Sequence, residues 1–589
     1  MKYRILSLLL AASVVFTLFS GCGSAAAHTG GHEPITIQGN RGSMSTFVAY
    51  VHEKYPEINL EVVPYSGANT SAYWDAQLAA DEMPDIYIKT TYVPGYEDLS
   101  DRLVDLSGYA FTGNYIEPQI HNVTVDGAVY LLPLYYVCFG ITYNKTLLEE
   151  NGWALPNSFA ELKTLAPKVE AAGYDLALAD IALPGLGFQY LFNILDTNFL
   201  NTVEGRLWKN DYLSGTENAT GSAAFMQALS ALDAWRDVGM LNDNGDPTSD
   251  DATRQKMAEG NTLFLLGSNT DFSKDETTDE FGMMPYLSED GSENVYILNT
   301  QSYVGLNKHL QDEGNAQKLE DALHVLELLA TVEGLEAFSP RNAATSLLPL
   351  KEYSVAADSP YKEIEEALND GVTAPFVYAG WENTVVPIGN EVFAYMRGES
   401  TTADIAACFD ESQSLLKDSA AITTVTETLS TAACAKLVGI AFAKAANADL
   451  ALISENKWYP LPDNADLNRE GVSGELFALP VTDMELCSIL PTGWTGTVQT
   501  VTLTGKEISD LAKTGYDRTG DGNTYPYALV TPENFTLEDD KTYTVAICGV
   551  TDDVAAKGNL TDTGIIGMDA ARTYLSQFET LSEKDIIWE

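Results

Sequence analysis

The sequence predicts an α/β chain of three folded lobes, and three observations predict it. From Pro34 onward, short apolar runs alternate with single amphipathic segments, PITIQG, SMSTFVAYVHEKY, INLEVVPY, NTSAYWDAQLAA and PDIYIK. Strands separated by one helix apiece imply parallel βαβ units. With 589 residues the chain exceeds a single core, since folded units of roughly 100–200 residues are usual. After Leu416 the pattern changes to one long alanine-rich segment, TETLSTAACAKLVGIAFAKAANA, and then strands in quick succession, which reads as a further unit of α+β character.

The N-terminus stands apart from these lobes. Met1-Lys2-Tyr3-Arg4 is basic, residues 5–19 are apolar, and Ser20-Gly21-Cys22 supplies a small-residue stop. That run is too short and too one-sided to span a bilayer and reads as an export signal. Its end, LFSGC, resembles the lipobox of bacterial lipoproteins, which implies cleavage before Cys22 and a diacylglycerol on its thiol. Residues 1–21 are thus expected to be a signal peptide. Residues 22–33, small and polar, are expected to be a tether. The mature chain would be exported and lipid-anchored to the outer face of the cell membrane.

Further along, VDGAVYLLPLYY and CFGITYNKTLLEENG read as strands leading into a helix whose start carries the capping pattern Ser158 to Glu161. Helices with capped starts recur to about Leu416, so residues 34–416 form one architectural block, 417–423 a linker and 424–589 the last unit. The acidic stretch 242–251 reads as a connection between helices. Asp517-Arg518-Thr519-Gly520-Asp521-Gly522 begins like a calcium loop, but its twelfth position is Ala528 where a bidentate Glu is needed, so it reads as a solvated turn.

Charge and cysteine usage bound the function. Asp plus Glu outnumber Lys plus Arg 84 to 33, for a net charge of -51, which excludes partners that bind through phosphate backbones and so leaves no nucleic-acid role. Besides Cys22, five cysteines each sit singly in apolar or small-residue settings. They read as buried free thiols, with one bridge among the last three left open. No GxxxxGK[ST], HExxH or GxSxG motif occurs, and no cofactor or metal is expected.

The segments after residue 125 carry a specific resemblance. Asp126-Gly127, Val129-Tyr130, Leu132-Pro133 and Tyr143-Asn144-Lys145 match the "DGKVYGLPY…YYNKDLFEKAG" pattern of extracellular solute-binding proteins of ABC importers, the carbohydrate-binding family in particular. MAEGNTLFLLGSN resembles that family's "F..GKAAMFIGGSW", and SYVGLNKHL with LELLATVEGLEAFS resembles "INK…FLKFLTSPEGQ". The resemblance implies the two-lobe periplasmic-binding-protein fold, with a hinge near residues 138–143, closing on a sugar-like solute and docking on permease subunits. Sugars need flat aromatic faces for their C–H surfaces and planar polar groups for their hydroxyls. The candidates in loops following strands are Asn40, Arg41, Tyr65, Thr90, Thr91, Tyr135, Tyr136, Asn269, Asp271, Gln301, Tyr303, Arg341, Trp381 and Glu382. The chain departs from the family at Asn269, where Trp is frequent, which leaves a pyranose platform either missing there or supplied by Trp381.

After residue 424 the order of helix, ADLALIS, VTDMELCSILP, VTLTGKEI and YTVA resembles the C-terminal domain of 5′-nucleotidases. The functional positions do not follow. Glu455-Asn456-Lys457-Trp458 stands where that family has NGGGIR, Thr492 replaces the base-stacking aromatic, and Ala555-Ala556-Lys557-Gly558 replaces its glycine-rich loop. All six His lie at 28, 32, 52, 121, 309 and 324, outside this unit and outside any metal motif. The last unit is therefore expected to be a non-catalytic accessory, and the chain not an enzyme. The alternative is a nucleoside-binding surface at Lys457, Trp458 or Trp494, or phosphoester hydrolysis, which would need a metal site.

Overall fold

The computed structural model describes residues 31–39, 44–63, 65, 70–90, 92, 98–266, 277–339, 347–355, 357, 362, 364–370, 373–375, 381, 384–413, 421–454, 471–472, 474–493, 496–514, 516–517, 524–525, 527–548, 554 and 560–589. The first lobe starts as the alternation predicts: β1 (Ile35–Gln38), helix α1 (Ser45–Lys54), β2 (Leu60–Val63), helix α2 (Thr70–Ala80) and β3 (Ile86–Lys89). Both β2 and β3 pair with β1 in parallel. All four residues of β3 are buried, as a parallel strand covered on both faces requires. Helix α1 packs Phe47 and Val51 into this core and α2 packs Tyr73 and Trp74.

The Asp126-Gly127 of the recognised segment is a hairpin turn. It joins β4 (Thr124–Val125) to β5 (Ala128–Val129), and its two residues have φ 52° and 86°, the doubly positive pair that a two-residue type I′ turn demands. A long strand follows, β6 (Leu132–Phe139), then β7 (Ile141–Asn144) in a second sheet with β8 (Asp175–Ala179), β9 (Thr262–Leu266) and β10 (Phe281–Met284), in the order β10-β7-β9-β8. The eleven-residue β11 (Tyr296–Leu306) returns to the first sheet, where β12 (Thr373–Pro375) joins its edge and the order is β12-β11-β3-β1-β2.

Two strands connect the lobes. β6 runs antiparallel to β11, with Leu132 opposite Val304 at one end and Phe139 opposite Ile297 at the other. Leu132 and Val304 lie in the first lobe's core, while Phe139 and Ile297 lie in the second's. Residues 138–143, where a hinge is expected, thus begin in one of the two strands that cross between the cores. Between β6 and β7 the chain passes Gly140, where a Cβ would come within 2.7 Å of the Met284 carbonyl oxygen, so only glycine fits this corner.

The second core is wrapped by helices, of which Pro184–Leu195 and Val385–Met396 cross at Gly187 and Gly389. The Ser158 hydroxyl accepts the Glu161 N–H at 3.2 Å as the capping pattern predicts, but the Glu161 carboxylate reaches one residue further back, to the Asn157 N–H at 2.8 Å. The 242–251 stretch does connect two helices, Ala223–Asp237 and Asp250–Ala258, and the Asn242 side-chain amide ties it to the Ala177 carbonyl at 3.0 Å.

Residues from 421 onward build their own sheets and cores. A small sheet orders as β15-β13-β22, from β13 (Thr423–Val425), β15 (Pro480–Val481) and β22 (Thr580–Leu581). The larger one orders as β19-β14-β20-β16-β21, from β14 (Leu450–Ser454), β16 (Thr497–Thr504), β19 (Tyr527–Val530), β20 (Thr542–Cys548) and β21 (Thr561–Ile566). A two-stranded ribbon pairs β17 (Tyr516–Asp517) with β18 (Thr524–Tyr525); the residues between them lie outside the described ones. The alanine-rich segment is the helix Thr431–Ala446, which ends on Asn447 at φ 50°. Its Gly439 lets it approach β19 and β14, because a Cβ there would lie 2.7 Å from the Val530 side chain. Cys138, Cys408, Cys434 and Cys487 are free thiols. Among the described residues no helix is long and apolar enough to cross a membrane.

Candidate solute cleft

Register places the strand ends. β11 pairs antiparallel with β3, Leu306 opposite Ile86 and Tyr303 opposite Lys89. Moving toward the C-terminal end of β3 therefore means moving along β11 toward Ile297, that is, toward the second lobe. The C-terminal ends of β1, β2 and β3 thus point toward the second lobe, and the C-terminal ends of the strands are the usual place for a ligand in an open α/β sheet.

At that edge the structure holds several polar groups in fixed positions. The Gln38 side chain at the end of β1 is buried, donating to Gln77 Oε1 at 2.5 Å and accepting the Ile88 N–H at 2.6 Å. Lys89, at the end of β3, is only 2 % exposed, and its ammonium pairs with the Asp75 carboxylate of α2. Sequence reasoning missed Lys89, although a lysine closing the apolar run PDIYIK is itself a signal, since a buried lysine must find a partner. Next to it the Thr90 hydroxyl is buried with no hydrogen-bond partner among the described residues. Such an atom can be completed by water, by a ligand or by a residue outside the described ones.

Opposite Thr90 lies an irregularity in β11. Thr300 pairs with Tyr136 and Ser302 with Tyr135, with register shifts on both sides of Ser302, which leaves Gln301 out of the ladder and exposed. Bulges of this kind re-aim a side chain. Tyr303 sits beside it, buried in the first lobe's core and set edge-on to Tyr92 at 5.5 Å. Burial pushes its hydroxyl up to about 12, so it stays protonated and able to donate. Thr90, Gln301 and Tyr303 are the expected residues that the strand register brings together.

Other expected residues have different surroundings. Tyr135 is fully buried and donates its hydroxyl to the Leu335 carbonyl at 2.6 Å, against Phe338. Tyr136 is buried as well, in a small cluster on the crossing strands with Cys138, Met283 and Leu298. Trp381 is not an open platform. It is fully buried among Phe192, Tyr212 and Phe409, with ring centroids 5.1, 5.1 and 5.7 Å away. Tyr65 is 3 % exposed, stacked on Tyr73 and bonded to the Ser488 carbonyl. Such rings offer no free face to a sugar, because almost none of their surface is exposed. Cys22, Asn40, Arg41, Thr91, Asn269, Asp271, Arg341, Glu382, Lys457, Trp458 and Trp494 lie outside the described residues.

The second lobe holds a separate polar row on its Pro184–Leu195 helix and the π-turn that extends it, Asp196–Leu200. Gln189, Asn193 and Asp196 are all buried, and the Asp196 carboxylate oxygens have no partner among the described residues. Burial pushes this carboxyl well above the usual carboxylate range, against the opposing pull of Lys209 and Arg206. Its folded-state pKa is raised, so the stability it contributes is fully present below the ordinary carboxylate range and is lost as pH rises through the raised value. Asp196→Asn, which keeps the shape and cannot ionise, should gain on the wild type in denaturant midpoint as pH goes from about 4 to about 8. A gap that stays constant with pH would show that Asp196 does not titrate in this way.

Among the described residues no group of three or more His, Cys, Asp or Glu is placed to hold a metal ion. No family model matches the chain, and no curated protein matches it. Solved structures do. Over the part of the chain that they cover, the fold matches that of two-lobe solute-binding proteins. A family 1 extracellular solute-binding protein from Bifidobacterium longum subsp. infantis is 18% identical, with 66% of this chain covering 100% of that one at a TM-score of 0.50. The binding protein MsmE from Bacillus subtilis, in an open conformation, is 15% identical, with 66% of this chain covering 98% of that one at a TM-score of 0.54. At these identities the likeness establishes the fold.

Proposed function

We propose that this chain is a cell-surface lipoprotein that captures a carbohydrate-like solute and hands it to the permease subunits of an ABC importer. The observation that carries the reading is the pair of long strands, β6 and β11, that cross from one lobe's core to the other's. A ligand closes such lobes only through contacts to both at once, since only those favour the closed state over the open one. In this reading Thr90, at the end of β3, and Gln301, on the connecting strand β11, are the first residues to contribute such contacts, supported by the unpartnered Thr90 hydroxyl and the exposure of Gln301. The carbohydrate class rests on the DGAVYLLPLYY and TYNK segments, and export with a lipid on Cys22 rests on the N-terminal pattern. The C-terminal unit serves as a non-catalytic accessory, because the nucleotide-contacting positions of the domain it resembles are replaced.

A thermal-shift panel tests the reading. An oligosaccharide at about 100 times its Kd should add about 2.7 kcal/mol of stability, while nucleosides, short peptides and inorganic anions should add none. Stabilisation by one of those and by no oligosaccharide would overturn it.

A further inference from the structure

The C-terminal unit is packed against the corner of the first lobe where β2 turns into α2. Phe477 is 4 % exposed and belongs to the first lobe's own hydrophobic core, with Leu479 packed against the same core. Its ring meets Tyr73 of α2 at 5.3 Å, and Tyr73 in turn stacks on Tyr65 with centroids 4.0 Å apart and planes 4° from parallel. The Tyr65 hydroxyl donates to the Ser488 carbonyl at 2.6 Å, within the C-terminal helix Asp483–Ile489. At the end of α2, the Thr428 hydroxyl donates to Glu82 Oε1 at 2.7 Å. The approach is close enough to constrain the backbone: a Cβ on Gly474, which sits at φ 81°, would lie 2.7 Å from the Tyr73 ring and 2.8 Å from the Tyr65 ring. Only a glycine lets the chain pass over the two tyrosines in this conformation.

We propose that the C-terminal unit is a latch on the first lobe, seating Phe477 in that lobe's core and holding Tyr65 by the Ser488 carbonyl so that the β2–α2 corner keeps one position at the edge of the cleft. A ring placed at a strand end toward the cleft is thereby turned into a strut. The C-terminal unit and the first lobe move as one body, and the second lobe moves against both. The bearing on solute capture rests on the cleft reading above, but the latch itself is a statement about packing and is tested without solute.

Hydrogen exchange on the full-length chain reads it directly, because local opening sets the exchange rates of the amides it exposes. Phe477→Ala should speed exchange of residues 70–80 and of 483–489 by about tenfold or more, leaving β7 and β9 of the second lobe unchanged. Tyr65→Phe, which removes one hydroxyl and keeps the ring stack, should speed the same two segments by a few-fold. It carries the test alone where Phe477→Ala does not fold. Unchanged exchange in both segments would overturn the latch, as would an equal rise in β7 and β9. A solute panel with no sugar hit leaves this result standing, and an overturned latch leaves the sugar reading standing.

Discussion

Trp381→Ala should lower the unfolding free energy by about 3–5 kcal/mol, the range for removing a fully buried large aromatic. The ring has no solvent-exposed surface and is enclosed by Phe192 edge-on, Tyr212 nearly parallel and Phe409 edge-on, all within the second lobe's core. Tyr212 is held in turn by its hydroxyl bond to the Phe409 carbonyl at 2.6 Å, so the surroundings cannot collapse freely into the hole. Incomplete collapse puts such a cavity toward the upper end of the range. Denaturant unfolding measures the loss. A solute titration of the same variant separates the two roles this residue has been given: a platform residue would weaken binding and leave the unfolding midpoint in place, whereas a core residue does the reverse.

Gly389→Ala should cost about 3 kcal/mol, the upper part of the overpacking range. The methyl would stand 1.9 Å from the Pro184 carbonyl oxygen and 2.7 Å from its carbon. These are backbone atoms at the start of the opposing helix, which cannot swing aside as a flexible side chain could. The same crossing holds Gly187, whose Cβ would lie 2.5 Å from the Gly389 carbonyl oxygen. The two helices must therefore separate or tilt, and the Phe188 and Val392 contacts that fill the core beside the crossing go with them. Gly185→Ala is the control, because its nearest neighbour is the Val385 side chain at 3.9 Å; it should be near neutral or mildly stabilising, as Ala replaces Gly within a helix. A urea midpoint shift for Gly389→Ala no larger than that for Gly185→Ala would refute the crossing.

Much of the fold was legible because local chemistry decides it. The alternation PITIQG to PDIYIK became β1 to β3 with two helices. The Asp126-Gly127 pair became a type I′ hairpin, and the Ser158 hydroxyl capped its helix. The candidate site was legible only in part. Thr90 follows a strand end and Gln301 lies in a bulge, the kind of setting in which residues after strands are expected. Tyr65, Tyr135, Tyr136, Tyr303 and Trp381 share that expectation, yet their rings are buried. An aromatic near a strand end is written the same way whether it faces a cleft or a core, and hydrophobicity does not say which neighbour covers it.

Residues close in sequence thus determined the strand and helix succession, the turns and caps, and the acidic, cysteine-poor character of this chain, because propensity, side-chain capping and charge act over a few positions or as sums. Tertiary structure decided what depends on distant partners. β11 pairs with β6 some 160 residues earlier to complete the second crossing between lobes, and Tyr65 bonds to Ser488 across 423 residues. The physical reason is burial: which face of a side chain is covered depends on where the rest of the chain comes to rest.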